Sequence, residues 1–161
     1  MQGVAAGIVG TAAMDALLYR RYRAGGGNDA PAAWEFSASA TTFEDAPAPA
    51  QVAKRIADTV GIDLPDSSVA WANNIVHWTT GISWGKVAGL ASAALPLPPF
   101  VVGVVTGATA WGTSCAVLGA VGIYEPITAY DRETLWKDLS AHLLFGAAMG
   151  AVLTIRRSRR R

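Results

Sequence analysis

Charge is scarce in this sequence. Only 16% of the 161 residues are Asp, Glu, Lys or Arg, against roughly 25% in ordinary soluble domains. The net charge of +1 supplies no basic surface, which excludes a nucleic-acid binder built on overall basicity. The 52% apolar content excludes a disordered chain. A single cysteine, Cys115, excludes an internal disulfide framework, a multi-cysteine metal centre and a CxxCH haem attachment. HExxH and paired acidic metal motifs are missing as well. The triplet Gly25-Gly26-Gly27 is not followed by Lys and Ser or Thr, so it is a flexible joint and not a phosphate loop. Nothing names a catalytic residue or requires a cofactor, and the length fits one domain.

What the sequence has instead is apolar runs with the charges pushed to their ends. The 55 residues from Val69 to Ile123 contain one charge, Lys86. None falls between Leu139 and Ile155, and Asp15 is the only one from Gly3 to Tyr19. A helix on the surface of a globular protein keeps a charged face, and these segments have none. The expectation is an all-α, polytopic membrane protein, a bundle of four transmembrane helices. Its spans run at about Gly3–Tyr19, Val69–Ala91, Pro99–Gly122 and Leu135–Ile155, each near the ~20 residues that cross a bilayer. No Lys or Arg precedes Gly3, so the first span reads as a membrane helix and not as a cleaved signal peptide.

The segments between the spans differ in kind. Loop 1, residues 20–68, carries twelve of the 25 charged residues. Within it Val52, Ile56 and Val60 repeat every four residues with Lys54, Arg55 and Asp58 off the stripe. This predicts an amphipathic helix at about 50–61, lying on the membrane surface or against the bundle. Leu95-Pro96-Leu97-Pro98-Pro99 makes a short turn between spans two and three. In loop 3, Glu133 and Lys137 are placed to pair at i,i+4. The tail at Arg156, Arg157, Arg159, Arg160 and Arg161 has five cations and no acid. It reads as an anchor on anionic lipid. No internal repeat suggests a duplicated transporter.

Every span carries glycines four apart: Gly3 and Gly7; Gly81, Gly85 and Gly89; Gly103 and Gly107; Gly146 and Gly150. Such ridges let helix backbones approach closely in lipid, within one chain or between the copies of a homo-oligomer. Gly85→Leu is the expected most disruptive change.

Four antiparallel spans put loops 1 and 3 on one side, with Tyr19, Tyr22, Trp71, Tyr124, Tyr130 and Trp136 along that edge as an aromatic belt. Counting inward at ~1.5 Å per residue, Asp15, Asn73, Asn74, His77, Ser114, Ser140 and His142 share a layer ~7–12 Å below that surface. Polar groups at such depth are expected to face the bundle interior or a water-filled funnel. Lys86 lies near the opposite interface and is placed to snorkel. Seven Lys or Arg lie on the loop 1 and loop 3 side, against the five tail arginines on the other. The positive-inside rule is nearly balanced, and the acid-free tail tips it toward cytoplasmic termini.

Three chemistries are open to the polar layer. Asp15, His77 and His142 are suited to a proton relay or ligand pocket. The same Asn and His residues also serve as interhelical hydrogen-bond glue. His77 and His142, at matched depth, are suited to haem b between two helices. Cys115 beside Ser114 forms no nucleophile motif and reads as a small buried apolar residue.

Several stretches resemble a known family. Gly122-Ile123-Tyr124-Glu125-Pro126-Ile127, then Lys137-Asp138-Leu139-Ser140-Ala141-His142-Leu143 and a glycine-bearing span ending in Arg156-Arg157, look like the C-terminal part of YagU-like (DUF1440) bacterial inner-membrane proteins. Asn74-Ile75-Val76-His77-Trp78 is similar to the histidine-bearing span of that group. The resemblance covers spans two to four and not loop 1. It implies a multi-pass bacterial inner-membrane protein and assigns no catalytic residue. The expected function is that of a non-enzymatic accessory or stress-related membrane factor whose polar layer senses or conducts protons. The alternative is a protein that binds haem b or a small ligand.

Overall fold

A computed structural model of the chain describes residues 2–36 and 40–158. Among these the structure is all-helical. Helix α1 spans Gln2–Ala24, α2 Pro31–Glu35, α3 Ala48–Thr59, α4 Val69–Ala94, α5 Pro99–Ala120 and α6 Arg132–Ser158. The anchor residues Arg159, Arg160 and Arg161 lie outside the described residues, and of Arg156 and Arg157 only the helical backbone is described.

The helix ends follow local chemistry. α5 begins with Pro99 in its first turn, where a missing N–H costs nothing. It ends where Gly122 takes φ +69°. That turn lets the Ile123 and Gly122 amides bond back to the carbonyls of Leu118 and Gly119 at 2.9 and 3.1 Å. α1 closes the same way on Gly26, at φ 96°. α6 is capped by Asp131, whose Oδ1 accepts the Thr134 N–H at 2.8 Å and whose Oδ2 accepts the Thr134 hydroxyl at 3.0 Å. The Glu133–Lys137 pair forms at 2.6 Å.

The four long helices run in the order α4, α1, α6, α5 around the bundle. α1 packs along both α4 and α6, α5 packs along α6, and the α4–α5 seam is slighter. The glycine ridges explain why. A Cβ on Gly3 would lie 2.6 Å from the Gly85 carbonyl oxygen, and one on Gly7 2.6 Å from that of Gly81. In the other seam, a Cβ on Gly103 would lie 2.5 Å from the Gly146 carbonyl oxygen, and one on Gly150 2.7 Å from that of Phe100. Gly89 and Gly107 also meet backbone, at Gly3 and at His142 and Gly146 respectively. All nine ridge glycines therefore pack within one chain, as α1 on α4 and α5 on α6. The α1–α6 seam is different: bulky side chains fill it, with Phe145, Met149 and Leu153 packed against Ala6 and Met14.

A five-position register links the two seams. Trp71, Asn73, His77, Gly81 and Gly85 on α4 recur as Trp136, Asp138, His142, Gly146 and Gly150 on α6, each sixty-five residues on. This short repeat was not among the sequence expectations. Both helices do the same double work: a ring toward the interior, then glycines against a partner helix.

By length and composition, two of the described helices are apolar enough to cross a membrane, Pro99–Ala120 and Arg132–Ile155. α1 and α4 have the length, but Gln2 and Asp15 in one, and Asn73, Asn74, His77 and Lys86 in the other, dilute their hydropathy.

Loop 1 folds onto the start of α4. Phe43, Ala46 and Ala50 bury against Val69 and Ala72. The expected helix at 50–61 is found at Ala48–Thr59, but its expected apolar stripe is not the face it buries. Ala50 and Ala57 are buried, while Ile56 and Val60 are 59% and 66% exposed. Small alanines allow close approach to α4, Ile56 and Val60 are left outside, and Val52 is half-buried.

Candidate functional site

Between α1, α4, α5 and α6 lies a cavity of about 500 Å³. Its mouth is framed by Trp34 and Glu35 of α2, by Pro47 and the first turns of α3, and by Tyr124 beyond α5. Its inner end stops at Gly81, Trp84 and Phe145. Past that level Ala6, Ala88, Met149 and Leu153 close the bundle.

The wall brings together five of the seven residues expected in the polar layer: Asp15, Asn73, His77, Ser114 and His142. His77 Nε2 lies 2.8 Å from Asp15 Oδ1, a bond from α4 to α1. It forms there because Asp15 and His77 follow, at helical spacing, the Gly7–Gly81 and Thr11–Gly81 contacts that bring the two backbones together. Asp15 is buried, and its Oδ2 has no hydrogen-bond partner. Asn73 is buried as well, with its Oδ1 unpartnered. His142 binds its own helix instead. Its Nδ1 lies 3.1 Å from the Asp138 carbonyl oxygen and 3.3 Å from Asp138 Oδ1.

Two expected members turn away. Asn74 donates Nδ2 to the carbonyls of Glu35 at 2.9 Å and Ala70 at 3.2 Å, which ties α2 to α4. Ser140 faces α1, where Arg21 donates to its Oγ at 2.8 Å and to the Lys137 carbonyl at 2.6 Å. Depth along a helix placed both residues in the layer. Rotation about the helix axis takes them out of it.

Sequence reasoning missed two acids of the wall. Glu35 comes from loop 1 and accepts Trp78 Nε1 at 2.8 Å. Asp138 lies four residues before His142 and accepts Trp111 Nε1 at 3.0 Å. The Asp138–His142 spacing was readable as a same-face pair. The Glu35 contact joins residues 43 positions apart and left no sequence signal. At the mouth, burial and the Asp138 carboxylate push the Tyr124 phenol up to about 12, so it remains a neutral donor.

Among the described residues, no three His, Cys, Asp or Glu are placed to hold a metal ion together. His77 already engages through Nε2, the nitrogen an axial haem ligand commonly presents. The cavity is thus a mostly apolar pocket, with one His–Asp bridge between helices and two further tryptophan-held acids.

Compared with family models, curated proteins and solved structures, the chain matches none.

Proposed function

We propose that the chain is a four-span helical protein of the bacterial inner membrane, a non-enzymatic accessory or stress-related factor that senses protons through Asp15 and His77. The observation that carries this reading is the 2.8 Å His77–Asp15 contact between two helices in the cavity wall. A histidine there couples its protonation to the α1–α4 seam. The charged and titratable groups lining the same cavity are Asp15 on α1, Glu35 on α2, Tyr124 beyond α5, and Asp138 and His142 on α6.

Direction along the helices supports four spans. Mean hydropathy does not register which way a side chain points. In α1 and α4 the polar groups Asp15, Asn73 and Asn74 are buried, while Ile8, Val9, Ile75, Val87 and Leu90 are exposed. In α5 and α6, Val101, Val105, Val117 and Ile155 are exposed too. An outward apolar surface on all four helices suits hydrocarbon better than water. Ile56, Val60 and Ile62 beside α3 suit the interface. The likeness of spans two to four to YagU-like proteins fits the same location, and the basic tail favours cytoplasmic termini on anionic lipid.

Sensing is favoured over conduction because Ala6, Ala88, Met149 and Leu153 pack together beyond Trp84 and Phe145. The test is NMR of histidine-labelled protein in detergent, where only two histidines report. Expected is a His77 titration that moves on Asp15→Asn, with the helical signal retained. A His77 resonance insensitive to pH, or to Asp15→Asn, would defeat the reading. Because His77 and His142 line one cavity, a haem-binding alternative remains testable. A Soret band in the purified protein would favour it, and its absence on haem titration would remove it.

A further inference from the structure

We infer that the cavity is a binding site for a lipophilic organic cation, a protonated or quaternary amine carried on an aromatic or alkyl body. This rests on the reading of that cavity as the working site, though not on its titration. Three acids, Asp15, Glu35 and Asp138, line the wall, and neither Lys nor Arg does. The nearby guanidinium of Arg21 is spent on the Lys137 carbonyl and Ser140, outside the wall. Each acid already faces a neutral or titratable donor: His77 on Asp15, Trp78 on Glu35, and Trp111 with His142 on Asp138.

Acceptor capacity is left over. Asp15 and Asn73, each more than nine-tenths buried, keep Oδ2 and Oδ1 without partners. Buried acceptors of this kind are costly unless something supplies a donor or a positive charge. An anion would be repelled, and an uncharged molecule would leave the carboxylates uncompensated. A bare divalent metal finds no three-ligand group among the described residues. The rest of the wall is apolar, with the rings of Trp34, Trp84, Tyr124 and Phe145 available to a cation's face or body. A volume of about 500 Å³ is in the range that holds a small organic ligand.

The probe is tetraphenylphosphonium, with tetraphenylborate as the control of like shape and opposite charge. Both are titrated calorimetrically into the detergent-purified full chain at pH 8. Expected is saturable phosphonium binding, one per chain, with borate at least tenfold weaker. Glu35→Gln and Asp15→Asn should each weaken the phosphonium at least tenfold, while exposed Glu44→Gln leaves it unchanged. Should Asp15→Asn not fold, Glu35→Gln decides alone. Absence of saturable binding, equal affinity for both ions, or wild-type affinity in the folded wall variants would overturn the inference. The histidine titration is read without the probe, so each proposal stands or falls alone.

Discussion

Asp15 and Asp131 show two uses of one side chain. Asp131 sits in water at the start of α6, and two hydrogen bonds from Thr134 hold its carboxyl below the ordinary aspartate value. Its stabilising effect is therefore complete above the unfolded value of 3.8. It is lost as pH falls through the lower native value. A pH series of thermal melts should show Asp131→Asn matching the wild type in strong acid and falling below it at neutral pH. Parallel curves at all pH values would contradict the cap. Asp15, by contrast, is buried between two helices, and its worth depends on His77. Removing either partner leaves the other polar group buried with less compensation, and truncations of that kind cost ~1–3 kcal/mol for a neutral group and more for a charged one. His77→Ala should thus lower the melting temperature as well as the pH response, whereas Asp15→Asn, which keeps a hydrogen-bonding group, should spare more of the stability.

The helices depend on glycine for contact, and the dependence is position-specific. Gly85 abuts the Gly7 backbone, while Gly112 on α5 has nothing within 4 Å of where a Cβ would stand. Gly85→Ala forces the seam apart and should destabilise by ~1–3 kcal/mol, as overpacking does. Gly85→Leu should cost more. Gly112→Ala should be neutral or stabilising by up to ~1 kcal/mol, because only the helix preference changes. Denaturation in mixed micelles measures both, and equal effects at the two positions would refute close packing as the reason for the ridges. Since all nine ridge glycines are occupied within the chain, no ridge glycine is left over for a partner copy.

Taken whole, the molecule is a bundle whose interior holds the buried acid Asp15 and whose long helices expose many large apolar side chains. That inversion makes a checkable statement about sidedness. In a Cys115→Ser background, Glu44→Cys reports loop 1 and Leu95→Cys the proline turn. Four spans place these thiols on opposite sides, so a membrane-impermeant maleimide should label one in intact cells and the other only after lysis. If only α5 and α6 crossed, both would fall on one side and label alike. The long contacts of α1 with α6 make that two-span arrangement physically awkward, since α1 would have to leave the partner it packs along.

Periodicity and charge distribution alone predicted all four long helices, within three residues at most boundaries and five at the end of α1. They also located the glycine ridges and the level along the helices that five of the polar residues share, because length, hydropathy and rise per residue are local properties. Azimuth and partnership are not local. That Asp15 meets His77, that Ser140 and Asn74 turn out of the layer, and that Glu35 reaches Trp78 all depend on how the helices rotate and where loop 1 folds back. Helix rotation is settled by close packing among side chains distant in sequence. That packing decided which ridges pair and which acids share a wall.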